Sequence, residues 1–127
     1  MTPKAPASDI LRAADLEVRP AEGLLLADGR VVMLSVREFR LLVAFTRRAG
    51  AVMGRAELYA TVWGGPMRPG ERSVDVYVRK LRVKLAHASP QRRFIHTHQG
   101  FGYRFEAEAA AAPVPAVNGG APATASD

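Results

Sequence analysis

The apolar residues of this chain change their spacing twice, and each change marks a different kind of element. From Ile10 to Met33 they come in short runs, Leu16-Glu17-Val18, Leu24-Leu25-Leu26 and Val31-Val32-Met33, broken at Arg19-Pro20 and Asp28-Gly29. Such runs between turn residues predict strands, and Asp-Gly between two of them predicts a hairpin. A small antiparallel meander of three or four strands is expected. At Ser35 the period lengthens. Phe39, Leu42, Val43 and Phe45 recur at helical spacing, Ser35-x-x-Glu38 fits a capping box, and Gly50 is a stop signal. A second helix is expected from near Gly54, with Leu58 and Val62 on one face and Trp63 at its end. Two prolines and three glycines make GGPMRPG at 64–70 a loop. A third helix is expected from about Arg72 to His87, ending before Pro90. Two short strands, Phe94–His98 and Gly102–Glu106, then meet at Gly100. This order predicts an α+β domain over residues 10–106. Residues 1–9 and 107–127 are rich in Ala, Pro, Ser or Gly without apolar periodicity, and both are expected to be disordered.

The third helix has two unlike faces. At 100° per residue, Val74, Val78, Leu81 and Leu85 fall within a stripe about 60° wide, a core face. Opposite lie Arg72, Val76, Arg79, Lys80, Val83 and His87, with Arg82 and Lys84 flanking. Cations around two outward valines suit the DNA major groove, where long side chains reach phosphates and guanine edges and a valine can meet a thymine methyl. An amphipathic surface helix of another purpose has the same periodicity, so spacing alone leaves the partner open.

Charge narrows the choice. The chain of 127 residues carries a net charge of +6. Between Glu71 and Arg104 there are eight basic residues against two acidic ones, while the remainder is balanced. A positive field confined to one segment points to a polyanion met by one face. No apolar run is long enough to span a membrane, and the N-terminus lacks the pattern of a signal peptide, so a cytoplasmic setting is expected. With no cysteine in the sequence, disulfides, thiolate metal sites and a thiol nucleophile are excluded. His96-x-His98 invites a metal reading, but zinc wants three or four ligands and the third histidine, His87, ends the basic helix. Gly100-Phe101-Gly102 precedes no helix and is therefore a turn rather than a phosphate cradle. No catalytic constellation can be assembled, so neither an enzyme nor a cofactor is expected.

RSVDVYVRKLRVKL at 72–85, followed by IHTHQGFGYRF at 95–105, resembles the effector domain of OmpR/PhoB-type response regulators. LSVREFRLLVAF (34–45) and ELYATVWG (57–64) resemble that domain's first two helices, in order and at the right spacing. The resemblance covers roughly residues 10–106. It implies a winged helix-turn-helix with an N-terminal antiparallel sheet, three helices and a C-terminal β-hairpin wing. It also implies sequence-specific double-stranded DNA binding and transcription regulation, with helix 72–87 in the major groove and wing 94–106 at the minor groove. Carried over position by position, Arg72, Ser73, Tyr77, Arg79, Lys80 and Arg82 match positions that contact phosphate or bases, and Val76 matches one that packs on a base. Thr97 and Tyr103 match phosphate-contacting wing positions, and Trp63 stands where its indole N–H can reach the backbone. Gly65, Pro66, Met67, Arg68 and Pro69 match the loop through which activators of the family touch RNA polymerase. Tight binding is expected to need a second copy in tandem on direct-repeat half-sites.

Two departures qualify this. Gln99 stands where the family commonly has an arginine, which enters the narrow minor groove for electrostatic reasons. A weaker wing contribution is expected. A receiver domain phosphorylated on aspartate usually precedes this one, and 127 residues hold no such segment. An excised effector domain of a two-component response regulator or a stand-alone regulator is expected. The competing reading is a protein-interaction module that docks RNA polymerase or a partner domain without DNA.

Overall fold

The computed structural model describes residues 9–110. Four strands, β1 (Leu11–Ala13), β2 (Leu16–Arg19), β3 (Leu24–Ala27) and β4 (Arg30–Val32), form an antiparallel sheet in sequence order. Asp28 and Gly29 turn the last hairpin with φ of 52° and 79°, the positive values that an Asp-Gly turn supplies. Leu16, Val18, Leu25 and Ala27 alternate inward from β2 and β3 and are fully buried.

Helix α1 (Val36–Arg47) starts at the expected capping box. The Glu38 amide donates to Ser35 Oγ at 3.1 Å, and the Ser35 amide donates to Glu38 Oε1 at 2.7 Å. Helix α2 (Arg55–Val62) follows, capped by Gly54 and ended at Trp63, and α3 (Ser73–Ala88) follows the 64–70 loop. The apolar stripe of α3, Val74, Val78, Leu81 and Leu85, is buried against α1 and α2, as the spacing predicts. Phe105 joins the layers, its ring stacked 6.2 Å from Phe45 of α1 and 5.8 Å from Phe94.

The C-terminal hairpin is larger than expected. β6 (Arg92–His98) and β7 (Gly102–Ala109) are joined by a third strand, β5 (Val52–Met53), in the order β5-β7-β6. β5 lies between Gly50 and Gly54, and two residues are too few to show a period. Ala107–Ala109, expected in a disordered tail, instead extend β7, and the Ala110 amide donates to the Gln91 carbonyl at 2.8 Å. Asp9, expected in the disordered N-terminal segment, holds Arg47 with both carboxylate oxygens, at 3.0 and 2.7 Å. The rest of the two expected tails, 1–8 and 111–127, lies outside the described residues.

Candidate nucleic-acid interface

The buried stripe of α3 fixes which side faces outward. Arg72, Val76, Arg79, Lys80, Val83 and His87 are all exposed on the opposite side, Val76 at 46% and Val83 at 51%. Among the described residues, Arg72, Arg79 and Lys80 have no carboxylate within ion-pair distance. Their charge is therefore unspent and faces solvent.

The flanking cations are different. Arg82 Nη2 donates to the Ile95 carbonyl at 3.1 Å and to Thr97 Oγ1 at 2.6 Å, tying α3 to β6. Burial presses down on the Arg82 charge, its pKa falling below that of a free guanidinium. Lys84 Nζ meets the buried Glu38 carboxylate at 2.7 Å. Thr97 accepts from Arg82 and keeps its own hydroxyl proton for an outside acceptor.

Tyr103 is 5% exposed and its hydroxyl donates to Asp75, whose carboxylate also accepts from Arg55 Nε at 2.7 Å. Its single proton is used inside the protein. Ser73 is likewise committed, its hydroxyl donating to Glu71. Trp63 is half-buried in an aromatic row, stacked on Tyr59 at 5.3 Å and met edge-on by Tyr77 at 5.6 Å. Cations cover two of its rings: Arg37 stands 4.8 Å over Trp63, and Lys80 4.7 Å over Tyr77.

The 64–70 loop bends at Gly64, Gly65 and Gly70, all with positive φ. Gly65, Pro66, Arg68 and Pro69 are exposed and Met67 is partly so. At the tip of the β6–β7 hairpin, Gln99 and Phe101 point to solvent. The histidines have structural partners. His96 Nε2–H donates to the Glu106 carbonyl at 2.9 Å, and His98 Nε2 accepts from Arg104 Nε at 3.0 Å.

The structure thus brings Arg72, Ser73, Val76, Tyr77, Arg79 and Lys80 onto one helix, with Trp63 against Tyr77 and the wing at the helix's side. Sequence reasoning missed Arg37, Arg55 and Asp75. Asp75 left a signal, being the only acidic residue within α3. Arg37 and Arg55 left none, since their partners come from other elements.

The family described as "Transcriptional regulatory protein, C terminal" matches residues 29–105. The transcriptional activator protein IrlR of Burkholderia pseudomallei is 37% identical over 106 residues, 84% of this chain and 46% of that protein. The alkaline phosphatase synthesis regulatory protein SphR of Synechococcus elongatus is 36% identical over 95 residues, 75% of this chain and 37% of that protein. The chain thus spans less than half the length of these curated relatives. Among solved structures, the DNA-binding domain of CpxR from E. coli superposes with a TM-score of 0.71 at 28% identity, covering 80% of this chain and 98% of that one. The Klebsiella pneumoniae RstA DNA-binding domain in complex with the RstA box gives 0.70 at 28% identity, covering 77% and 97%. With the fold, the outward cationic helix and these likenesses in agreement, the chain belongs to the family of OmpR/PhoB-type DNA-binding domains of transcription regulators.

Proposed function

We propose that this domain recognises a specific double-stranded DNA sequence by laying α3 in the major groove and resting the β6–β7 wing at the neighbouring minor groove. The observation that carries this reading is the unspent charge of Arg72, Arg79 and Lys80 around two exposed valines, opposite a fully buried stripe. Arg79 and Lys80 reach phosphates and guanine edges, and Val76, near the helix N-terminus, lies against a thymine methyl. Thr97 donates its free hydroxyl proton to phosphate, and Tyr77 and Trp63 flank the backbone beneath their two cations. Tyr103 and Ser73, whose single protons are already used, and Arg82, whose Nε and Nη2 are bonded to β6, hold the interface in shape. Gln99 reaches base edges or sugar from the wing.

A single domain offers a small interface, so two copies in tandem on direct-repeat half-sites give tight binding. The exposed loop residues Gly65, Pro66, Met67, Arg68 and Pro69 are the surface offered to RNA polymerase. The reading extends to a cytoplasmic setting, in a two-component phosphorelay or as a stand-alone regulator, and family membership supports it.

The test is binding to duplexes selected from a random pool, repeated across salt concentrations. Each phosphate neutralised adds about −0.9 to the slope of log affinity against log salt. A steep slope is expected, with Arg79→Ala and Lys80→Ala losing far more affinity than Arg47→Ala, since Asp9 already holds Arg47. A flat salt response, or partner binding that survives charge reversal at Arg79 and Lys80, would replace this reading with a protein-docking one.

A further inference from the structure

We propose that Phe101 is an apolar wedge that the wing presses into the minor groove, with Gln99 beside it hydrogen-bonding base edges. The inference rests on the DNA-binding reading and deepens it by assigning a specificity-determining residue to the wing.

Three observations carry it. First, Phe101 is 76% exposed and contributes nothing to the core. Second, the tip around it carries no free charge. Gln99 is neutral, His98 uses Nε2 to accept from Arg104, and Arg104 is itself turned back toward Glu106 and Glu108. An uncharged tip cannot be drawn into a narrow minor groove by electrostatics, so it must engage by shape. Third, the ring is presented from a fixed base. The Phe101 amide donates to the His98 carbonyl at 2.9 Å. On its other side, Gly102 packs so closely that an added Cβ would stand 2.1 Å from the Met53 carbonyl of β5. Inserting the ring therefore costs little ordering of the loop that bears it.

A glutamine next to an exposed phenylalanine is the side-chain pair that minor-groove proteins use to read A·T against G·C and to part a base step. Parting is easiest at pyrimidine–purine steps. The wing then selects a flexible TA or CA/TG step beside the half-site, and it bends the duplex there.

The test uses the full chain and a selected duplex carrying 2-aminopurine at the flanking step, a base whose fluorescence rises on unstacking. Wild-type protein raises the signal. Phe101→Ala abolishes the rise and weakens binding about tenfold, the effect of losing one ring–base contact. Phe101→Leu keeps part of both. Its salt slope matches wild type, unlike that of Arg79→Ala, because no phosphate contact is lost. The exposed position leaves the thermal midpoint of each variant unchanged. Binding of wild type without a fluorescence rise, or a Phe101→Ala variant that binds equally well, overturns the wedge alone. Failure of wild type to bind any selected duplex overturns the underlying DNA reading.

Discussion

The hydroxyl of Tyr103 on β7 donates to the carboxylate of Asp75 in the first turn of α3, and Arg55 of α2 donates to the same oxygen. Wing, recognition helix and second helix thus meet at one carboxylate. The Tyr103 ring lies between the guanidinium groups of Arg55 and Arg82, at 5.3 and 5.5 Å. Burial pushes the Asp75 carboxyl up, but the hydroxyl of Tyr103 and the guanidinium of Arg55 outweigh it and hold the pKa below the ordinary 3.8. Burial and the same carboxylate raise Tyr103 above the ordinary 10.0. The signs follow by linkage. The Asp75 contribution is present above the ordinary carboxylate range and is lost as pH falls through its depressed value. The Tyr103 contribution is full below pH 10.0 and is lost as pH rises through its raised value. Denaturant midpoints across pH should fall at both ends. Tyr103→Phe should remove the tyrosine part of the alkaline fall and cost about 1.5–3 kcal/mol at neutral pH, the worth of one hydrogen bond to a charged group.

Arg82 makes a second tie between helix and wing, donating to the Ile95 carbonyl and to Thr97. Arg82→Met keeps the apolar stem and removes both bonds. It should weaken DNA binding and speed amide exchange along Thr97 and its neighbours. The log–log salt slope should stay the same, because the guanidinium serves the protein rather than a phosphate. A slope reduced by about one phosphate's worth would instead place Arg82 on the DNA backbone.

The helices and the first sheet are legible in the sequence because each is buried on one side. One-sided burial writes a period, as Val74, Val78, Leu81 and Leu85 do for α3. Val52 and Met53 are too few to carry one, so β5 is invisible until β7 is present to pair with it. Ala107–Ala109 are invisible for another reason. Their composition continues into the alanines that follow, and only the register of Arg92 against Ala109 makes them a strand. The site divides in the same way. A local excess of cations marks the basic segment, but no sequence rule tells which cations are spent internally. Lys84 goes to Glu38, Arg104 to Glu106 and Glu108, and Arg82 to the wing, while Arg79 and Lys80 stay outward.

Glu38 is the one buried carboxylate among the described core residues, 3% exposed, and serves two partners. Oε1 accepts from the Ser35 amide to close the capping box and meets Lys84 at 2.7 Å, joining α1 to α3. Glu38→Ala removes the glutamate half of the capping box and the ion pair together, while the amide of residue 38 still donates to Ser35 Oγ. An unfolding loss of about 2–4 kcal/mol is expected, most of it from breaking the partly buried ion pair. Glu38→Gln keeps an oxygen for the Ser35 amide and should lose less. Burial raises the Glu38 pKa, but Lys84 and Ser35 outweigh it and bring it below 4.5, so its contribution is lost as pH falls through that depressed value. Urea titrations of the three proteins at pH 7 and in acid should show wild type converging on Glu38→Gln as pH falls.

Two wing glycines separate a turn requirement from a close approach. Gly100 has φ of 82°, with nothing within 4 Å of where a Cβ would stand. Gly100→Ala therefore costs only left-handed backbone strain, about 1 kcal/mol. Gly102 has φ of 142°, and its Cβ would fall 2.1 Å from the Met53 carbonyl and 2.9 Å from the Gly54 Cα, both of them backbone. Backbone cannot step aside as a side-chain end can. Gly102→Ala must push β7 off β5 or distort the turn, and a loss of roughly 2–4 kcal/mol is expected. Because β5 leads directly into Gly54 and α2, the displacement should also reach Arg55 and its bond to Asp75. Thermal melts should rank Gly102→Ala well below Gly100→Ala, and amide shifts in α2 should move for the first variant only. Equal melts would mean that β5 is not held against the wing.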